Sequence, residues 1–394
     1  MLRKLIFQTH WLLGITAGLV LGLVGVTGAV LSYEQPLLRA LNPGVMTVAA
    51  EGRQPLAPGV LLARVQAQRA GSPQALTLSS DPTRAARVSF APTPGAAAAP
   101  GGRARGESRY VDPYTGALLP KPRGEAFFRT TMQLHRWLAA GEVGKQIVGA
   151  STLALVFFCV SGIYLRWPRR WTSPRAWLHL DGALTGRRFL WHLHSVVATW
   201  LLLPYLVMAL SGLYWSYGWY REGLLALSGT PANAQRGPPA AAGRGEAGGG
   251  APDVDLVAAF AAFEGAVPAW STVTLRLPAA AGQPLEWSYQ DPAPPHERAN
   301  NRLVLDAATL AVTTHERYRD KPLGQRLMAG IFPLHSGSWF GGIGLFVFCV
   351  ASLAMPLFTV TGLQLYLDRR AKKRAGLARR REREQARARA PSAG

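Results

Sequence analysis

Residues 144–167 read GKQIVGASTLALVFFCVSGIYLRW, and this run decides the fold class. At about 1.5 Å of rise per helical residue, twenty or so mostly apolar positions cross about 30 Å of hydrocarbon. Three further stretches have the same character: Trp11–Tyr33, His194–Tyr217 and Gly342–Leu367. Four spans override the roughly two or three soluble domains that a chain of 394 residues would otherwise suggest. The expected class is therefore an α-helical membrane protein, a four-transmembrane-helix bundle.

The formal net charge of +21 could point to nucleic acid, but its distribution points to a membrane. Arg3 and Lys4 precede the first span. Arg166, Arg169, Arg170, Arg175, Arg187 and Arg188 lie between the second and third, and a dense run from Arg369 to Arg389 follows the fourth. All three clusters fall on one side of a four-span topology, so the positive-inside rule places both termini in the cytoplasm of a multi-pass inner-membrane protein. The tail reads as a solvated segment against anionic lipid, and no nucleic-acid partner is expected. The first apolar run is longer than the core of a secretory signal and reads as an uncleaved anchor. Cys159 and Cys349 sit inside spans at unmatched positions, as small packing residues rather than a disulfide or a metal pair.

With both termini inside, the two long connections face outward. The expected division is a cytoplasmic start and first span over 1–33, an extracytoplasmic domain over 34–143, the second span at 144–167 and a basic cytoplasmic loop at 168–193. The third span follows at 194–217, a second extracytoplasmic domain at 218–341, the fourth span at 342–367 and the basic tail at 368–394. Each outer domain shows a helix and then three strands. The first has a helix at Gly59–Ala70 and strands near Ala75–Ser79, Ala86–Phe90 and Arg109–Asp112. The second has a helix at Asp253–Phe263 and strands near Ser271–Leu277, Leu285–Gln290 and Arg302–Asp306. Two α+β domains of one pattern suggest an internal duplication. Ala91–Gly106 and Thr230–Pro252, rich in Ala, Gly and Pro, read as linkers. Asp112-Pro113-Tyr114-Thr115-Gly116 is a tight-turn signal; its counterpart Asp306-Ala307-Ala308-Thr309-Leu310 keeps only Asp and Thr.

The histidines share that duplication. His10 precedes Gly28 by the 18 residues that separate His194 from Gly212, and His135 precedes Gly162 by the 27 that separate His335 from Gly362. Each of these glycines follows a Ser or Thr. Imidazole is a good iron ligand and is rare in hydrocarbon without a task, so four histidines in register imply two bis-histidine metal or haem sites. Chain direction places His10 and His194 near the cytoplasmic face, and His135 and His335 near the outer face. His192 is an alternative to His194, since the two point roughly 200° apart on a helix; Tyr33 and Tyr217 keep the same offsets when His194 is matched to His10. Arg136, beside His135, is a candidate partner for a haem propionate. His179, His296 and His315 have no partners at matched offsets and read as surface residues. The glycines of the first span, from Gly14 to Gly28, suit a neighbouring helix or a flat macrocycle.

Dinucleotide, P-loop and HExxH patterns are missing; Gly341-Gly342-Ile343-Gly344 sits at the mouth of a span and not after a strand. The electron donor is then a separate protein or a lipid-soluble quinol.

The chain resembles the PepSY-associated transmembrane family. The resemblance is carried by Leu134-His135-Arg136-Trp137-Leu138, by Val160-Ser161-Gly162-Ile163-Tyr164 with Trp167-Pro168-Arg169-Arg170, by Val111-Asp112-Pro113-Tyr114-Thr115-Gly116 and by Leu334-His335-Ser336-Gly337. It implies two extracytoplasmic PepSY-like domains in a bacterial inner membrane and, in the ferrisiderophore-reductase branch, two haem b groups carrying electrons outward. The departures at Ala307 and Leu310 bear on the second domain. The expected activity is a haem-dependent oxidoreductase of ferric siderophores or other ferric chelates, serving iron uptake. Two other readings stay open: a non-redox PepSY-like binding or regulatory module on a membrane anchor, and a metal-ion carrier using the histidines as transit ligands.

Overall fold

The computed structural model describes residues 1–69, 71–92, 106–230, 254–278, 280 and 282–389. Most of both expected linkers, Ala91–Gly106 and Thr230–Pro252, lies outside them. The first apolar run forms one helix, α1 (Leu2–Ser32), followed by the short α2 (Glu34–Leu41). The amphipathic α3 (Pro58–Gln68) starts on Pro58, whose missing N–H costs nothing in a first turn. Strands β1 (Pro73–Ser79), β2 (Ala86–Phe90) and β3 (Ser108–Val111) follow, within about two residues of expectation.

His135 lies ahead of the second span, in a separate helix, α4 (Glu125–Trp137). Leu138 and Ala139 take φ of 49° and 54°, and Gly141 takes 57°. These left-handed residues end α4 and reverse the chain into α5 (Gly141–Arg166). The basic loop contains α6 (Pro174–Leu178).

The third apolar run is broken. α7 (Gly186–Trp200) and α8 (Leu202–Ser216) meet at a 63° bend. Pro204 has no N–H to donate to the carbonyl of Trp200, so the ladder fails at Leu201. Next come α9 (Gly218–Leu227) and α10 (Leu256–Ala266), the latter capped by Asp255 Oδ1 accepting from the amides of Val257 and Ala258 at 2.9 and 3.1 Å.

Beyond α10 run β4 (Thr272–Arg276), β5 (Leu285–Gln290), β6 (Asn301–Leu305) and β7 (Val312–Glu316), then α11 (Leu323–Ala329) and α12 (Ile331–Ser336), which carries His335. The last helix, α13 (Gly341–Arg389), does not stop with the apolar run. It continues through the basic tail, where an Arg380–Glu384 pair at 2.8 Å supports it one turn apart.

α1, α5 and α13 are each long and apolar enough to cross a membrane, and α7 with α8 makes a fourth candidate if the bent pair counts as one span. α1, α5, α8 and α13 share an apolar core of Leu21, Leu155, Cys159, Tyr205, Ala209, Ala351 and Met355. Lipid tails are as apolar as these side chains, so close approach and interhelical hydrogen bonds carry the association. Tyr205 Oη donates to the Ala351 carbonyl at 2.8 Å and Thr359 Oγ1 to the Gly18 carbonyl at 2.7 Å.

The strands form a separate antiparallel region, a single seven-stranded sheet in the order β3-β2-β1-β4-β5-β6-β7. The strand sets read as two outer domains are continuous through β1 and β4, which pair Thr77 with Thr274 and join their hydroxyls at 2.9 Å. α3 and α10 supply the core residues that cover one face. One cluster holds Leu61, Val65, Leu76 and Val88, the other Phe263, Leu275, Trp287 and Leu303, and Leu78, Leu256 and Leu277 pack against both. β7 was not expected, and its half-exposed VTTHE sequence is typical of an edge. The Asp306 turn keeps the geometry of the Asp112 turn. Asp306 Oδ1 accepts from the Ala308 and Thr309 amides, and Leu310 takes φ of 57° where Gly116 takes 70°.

A side chain at Gly25 would force α1 away from α13, because a Cβ there would lie 2.5 Å from the Ser352 carbonyl oxygen and 2.6 Å from Met355 Cβ. Gly25→Leu is therefore expected to lower the unfolding temperature in detergent by several degrees, roughly 1–3 kcal/mol of overpacking. Gly265→Ala, where an added Cβ meets nothing within 4 Å, should leave the midpoint unchanged or slightly raised. Equal midpoints for both variants would refute the close approach.

Candidate functional site

Two cavities lie at opposite ends of the helices. One, of about 830 Å³, holds His10 and His194 and is rimmed by Arg3, Arg166, Arg187 and Arg369. The other, of about 1560 Å³, holds His135 and His335 and reaches the sheet at Arg87 and Tyr110. Leu21, Leu155 and Met355 line both, so a thin apolar layer divides them. His10 and Thr27, which mark the two levels on α1, are about 25 Å apart at 1.5 Å per residue.

Every one of the four imidazoles is held the same way. His10 Nδ1 is 2.7 Å from Ser161 Oγ, His194 Nδ1 is 2.8 Å from Thr361 Oγ1, His135 Nδ1 is 3.2 Å from Thr27 Oγ1 and His335 Nδ1 is 3.0 Å from Ser211 Oγ. Each hydroxyl donates its own proton back along its helix: Ser161 to Phe157, Thr361 to Leu357, Thr27 to Leu23 and Ser211 to Val207. The hydroxyl oxygen is then an acceptor, and Nδ1 must donate. The carbonyls of Val24 and Met208, each at 3.0 Å, enforce the same assignment on His135 and His335. All four rings thereby keep the proton on Nδ1 and a free lone pair on Nε2, the form that ligates a metal.

The glycine after each hydroxyl makes room for the ring. A Cβ at Gly28 would lie 3.0 Å from His135 Cε1, and one at Gly212 would lie 3.3 Å from His335 Cε1. The looser positions are Gly162 against His10 at 3.9 Å and Gly362 against His194 at 3.8 Å. The Ser/Thr-Gly pairs that set the spacing in sequence are thus the seats of the histidines. They do not, however, seat histidines of their own helices: α5 seats His10 of α1, α1 seats His135 of α4, α13 seats His194 of α7 and α8 seats His335 of α12.

The centroids of His135 and His335 are 6.3 Å apart with planes at 71°. That separation leaves room for the two imidazoles to hold one metal ion between them, each ring nitrogen about 2 Å from it. Trp215 packs edge-on to His335 at 5.3 Å, and Phe158 and Phe358 flank His10 and His194 at 5.0 and 5.2 Å. Among the described residues no three His, Cys, Asp or Glu cluster as a multidentate metal site; these imidazoles share cavities two by two.

Of the remaining sequence candidates, His192 turns to the loop, its Nε2 2.9 Å from the His179 carbonyl oxygen, and does not line the cavity that holds His194. Arg136 lines the outer cavity with its guanidinium 4.3 Å over Trp137. His296, expected at the surface, is buried: its Nε2 is 2.9 Å from Tyr318 Oη and its ring stacks on Trp339 at 4.8 Å. Higher in the outer cavity, Lys121 and then Arg69 hold the Glu107 carboxyl below its usual range, whereas burial, with Glu125 near, raises that of Glu34. Sequence reasoning missed Thr27, Ser161, Ser211 and Thr361 as partners of the imidazoles, although their Ser/Thr-Gly signal was visible.

Removing one seat tests the arrangement directly. Ser161→Ala leaves His10 Nδ1 without its acceptor at a cost of about 1 kcal/mol. Nitrogen-15 spectra of labelled histidine should then show His10 shifting from a single tautomer to a mixture, with His135 and His335 unchanged. A His10 signal that does not move would mean that the hydroxyl does not orient the ring.

A family model described as the PepSY-associated TM region matches residues 7–369, nearly the whole chain. No curated protein matches the chain.

Proposed function

The chain belongs to the PepSY-associated transmembrane family, and on that premise we propose that it conducts electrons through two haem b groups to an extracytoplasmic ferric chelate such as a ferrisiderophore. The observation that carries this reading is the outer pair: His135 and His335, with Nδ1 protons committed elsewhere, stand 6.3 Å apart with room for one iron between them. His10 and His194 would hold the second macrocycle in the other cavity, whose walls are mostly apolar and whose rim of arginines suits propionates. When bound, the haems supply one-electron redox chemistry at two levels of the membrane.

This chain's residues do the rest. The Ser and Thr hydroxyls fix ring orientation and the basicity of the ligating nitrogen, the glycines admit the rings, and the layer of Leu21, Leu155 and Met355 excludes water between the two levels. Each ferric chelate takes one electron and dissociates as ferrous iron and chelator. A quinol, or a separate reductase, supplies two electrons and thus serves two chelates, leaving its two protons on the donor side. We read the protein as a four-helix bundle of two duplicated halves, each with a PepSY-like unit. Each half seats its own two histidines, and the Thr77–Thr274 pair lies where the two strand sets meet, features that support this. The basic rim at one end supports a bacterial inner-membrane orientation with both termini cytoplasmic.

Purified in detergent and reduced with dithionite, the protein is expected to show sharp b-type bands at about two haems per chain. His135→Ala and His10→Ala should each remove about half of the haem, and His192→Ala should remove none. A colourless protein would overturn this reading and leave the non-redox binding module; equal loss in His192→Ala would move the inner ligand.

A further inference from the structure

The two cavities share one ligand geometry but not one size. The outer exceeds the inner by about 730 Å³, a volume in the range of small-ligand pockets, about 300–1,000 Å³. That additional space extends from the His135–His335 pair to the sheet and is walled from both halves, by Arg69, Arg87 and Tyr110 on one side and Arg298, Asn300 and Lys321 on the other.

Its lining is strongly one-signed. Over the whole cavity seven Lys and Arg side chains accompany three Glu, one of which, Glu107, is already engaged by Arg69 at 2.7 Å and Lys121 at 3.0 Å. The propionates of one haem would offset two of the surplus cations, and a positive chamber would remain. Arg69 adds a second, independent observation. Its guanidinium lies 4.3 Å over Phe90, and among the described residues its Nη1 is buried without a hydrogen-bond acceptor. A buried guanidinium N–H without an acceptor is unfavourable, the more so for a charged group, so it is suited to an incoming anion.

We infer that the outer cavity is a docking chamber for anionic chelates, rich in carboxylate or other negative oxygens, bound between Arg69 and Arg87 of the first half and Arg298 and Lys321 of the second. The inference names the substrate class of the site proposed above and rests on that reading for its redox consequence, but not for binding. Selection is by net charge: planar guanidinium groups engage paired oxygens, the low-dielectric floor strengthens each contact, and a cationic chelate of similar size meets the same groups as repulsion.

Gallium chelates test this without electron transfer, because gallium(III) is not reduced under these conditions. The full-length protein in zwitterionic-lipid nanodiscs is titrated with gallium–citrate and with a gallium tris-hydroxamate of zero or positive charge, followed by quenching of tryptophan fluorescence and by calorimetry. The citrate complex should bind and weaken steeply with salt, whereas the hydroxamate should bind at least about tenfold less tightly. Arg69→Gln and Arg87→Gln should each weaken citrate binding about tenfold while leaving haem content unchanged. Should Arg69→Gln fail to fold, Lys321→Gln takes its place. Equal affinities for both chelates, or no salt dependence, would overturn the chamber even in a haem-loaded protein. Charge-selective binding by a colourless protein would instead keep the chamber and remove the electron conduit.

Discussion

The hydrogen bond from an imidazole Nδ1 to a hydroxyl on a neighbouring helix is the contact on which the site depends. It occurs four times with one chemistry, and each time the hydroxyl has already given its proton to a carbonyl four residues back. That second bond makes the first one directional. A free serine could donate or accept and leave the ring in either tautomer; a back-bonded one only accepts. Helix geometry is thereby converted into the protonation state of a ring nitrogen.

The same contact ties the helices together where hydrophobicity does not. In an apolar surround a side-chain hydrogen bond between helices contributes on the order of 1 kcal/mol; the His10–Ser161 bond joins α1 to α5 near one end, and the His135–Thr27 bond joins α1 to α4 near the other. Glycine serves as the complement of each hydroxyl, since the ring must approach the seating helix closely enough for Nδ1 to reach Oγ. At Gly28 and Gly212 an added methyl would meet Cε1 at 3.0 and 3.3 Å, tighter than ordinary contact. Ser/Thr-Gly is therefore one unit, a polar anchor and the space beside it.

Much of this was legible in the sequence. The apolar runs, the strand positions and the matched histidine spacings all follow from local composition and period, and local properties are what a linear chain displays. Partner choice is not local. The equal offsets from histidine to glycine show a repeated spacing, but the distance from His10 to Gly28 is a distance along one helix. The ring in fact reaches Ser161 on another. Nor does a pattern of apolar residues reveal that Pro204 bends a span at Leu201, or that β1 and β4 fuse two strand sets into one sheet, since edge pairing depends on where helices bring the strands. His296 was misread for the same reason: its partners, Tyr318 and Trp339, lie 22 and 43 residues away.

That buried histidine bears on how His335 is held on a short helix. α12 has six residues, too few to hold a helical conformation by themselves, yet its His335 must be aimed as firmly as a residue in the middle of a span. The support comes from the loop between β5 and β6. His296 stacks on Trp339 and meets Tyr318 Oη, Glu297 accepts from Ser338 Oγ at 2.9 and 3.0 Å, and Arg298 lies 5.2 Å over Phe332. Trp339 in turn leaves no room for a side chain at Gly330, the residue before α12. The sheet thus grips both ends of the segment that carries His335. A short helix clamped by a folded sheet holds the His335 ring and leaves the larger cavity open between sheet and helices, on the side where Arg69, Arg87, Arg298 and Lys321 stand.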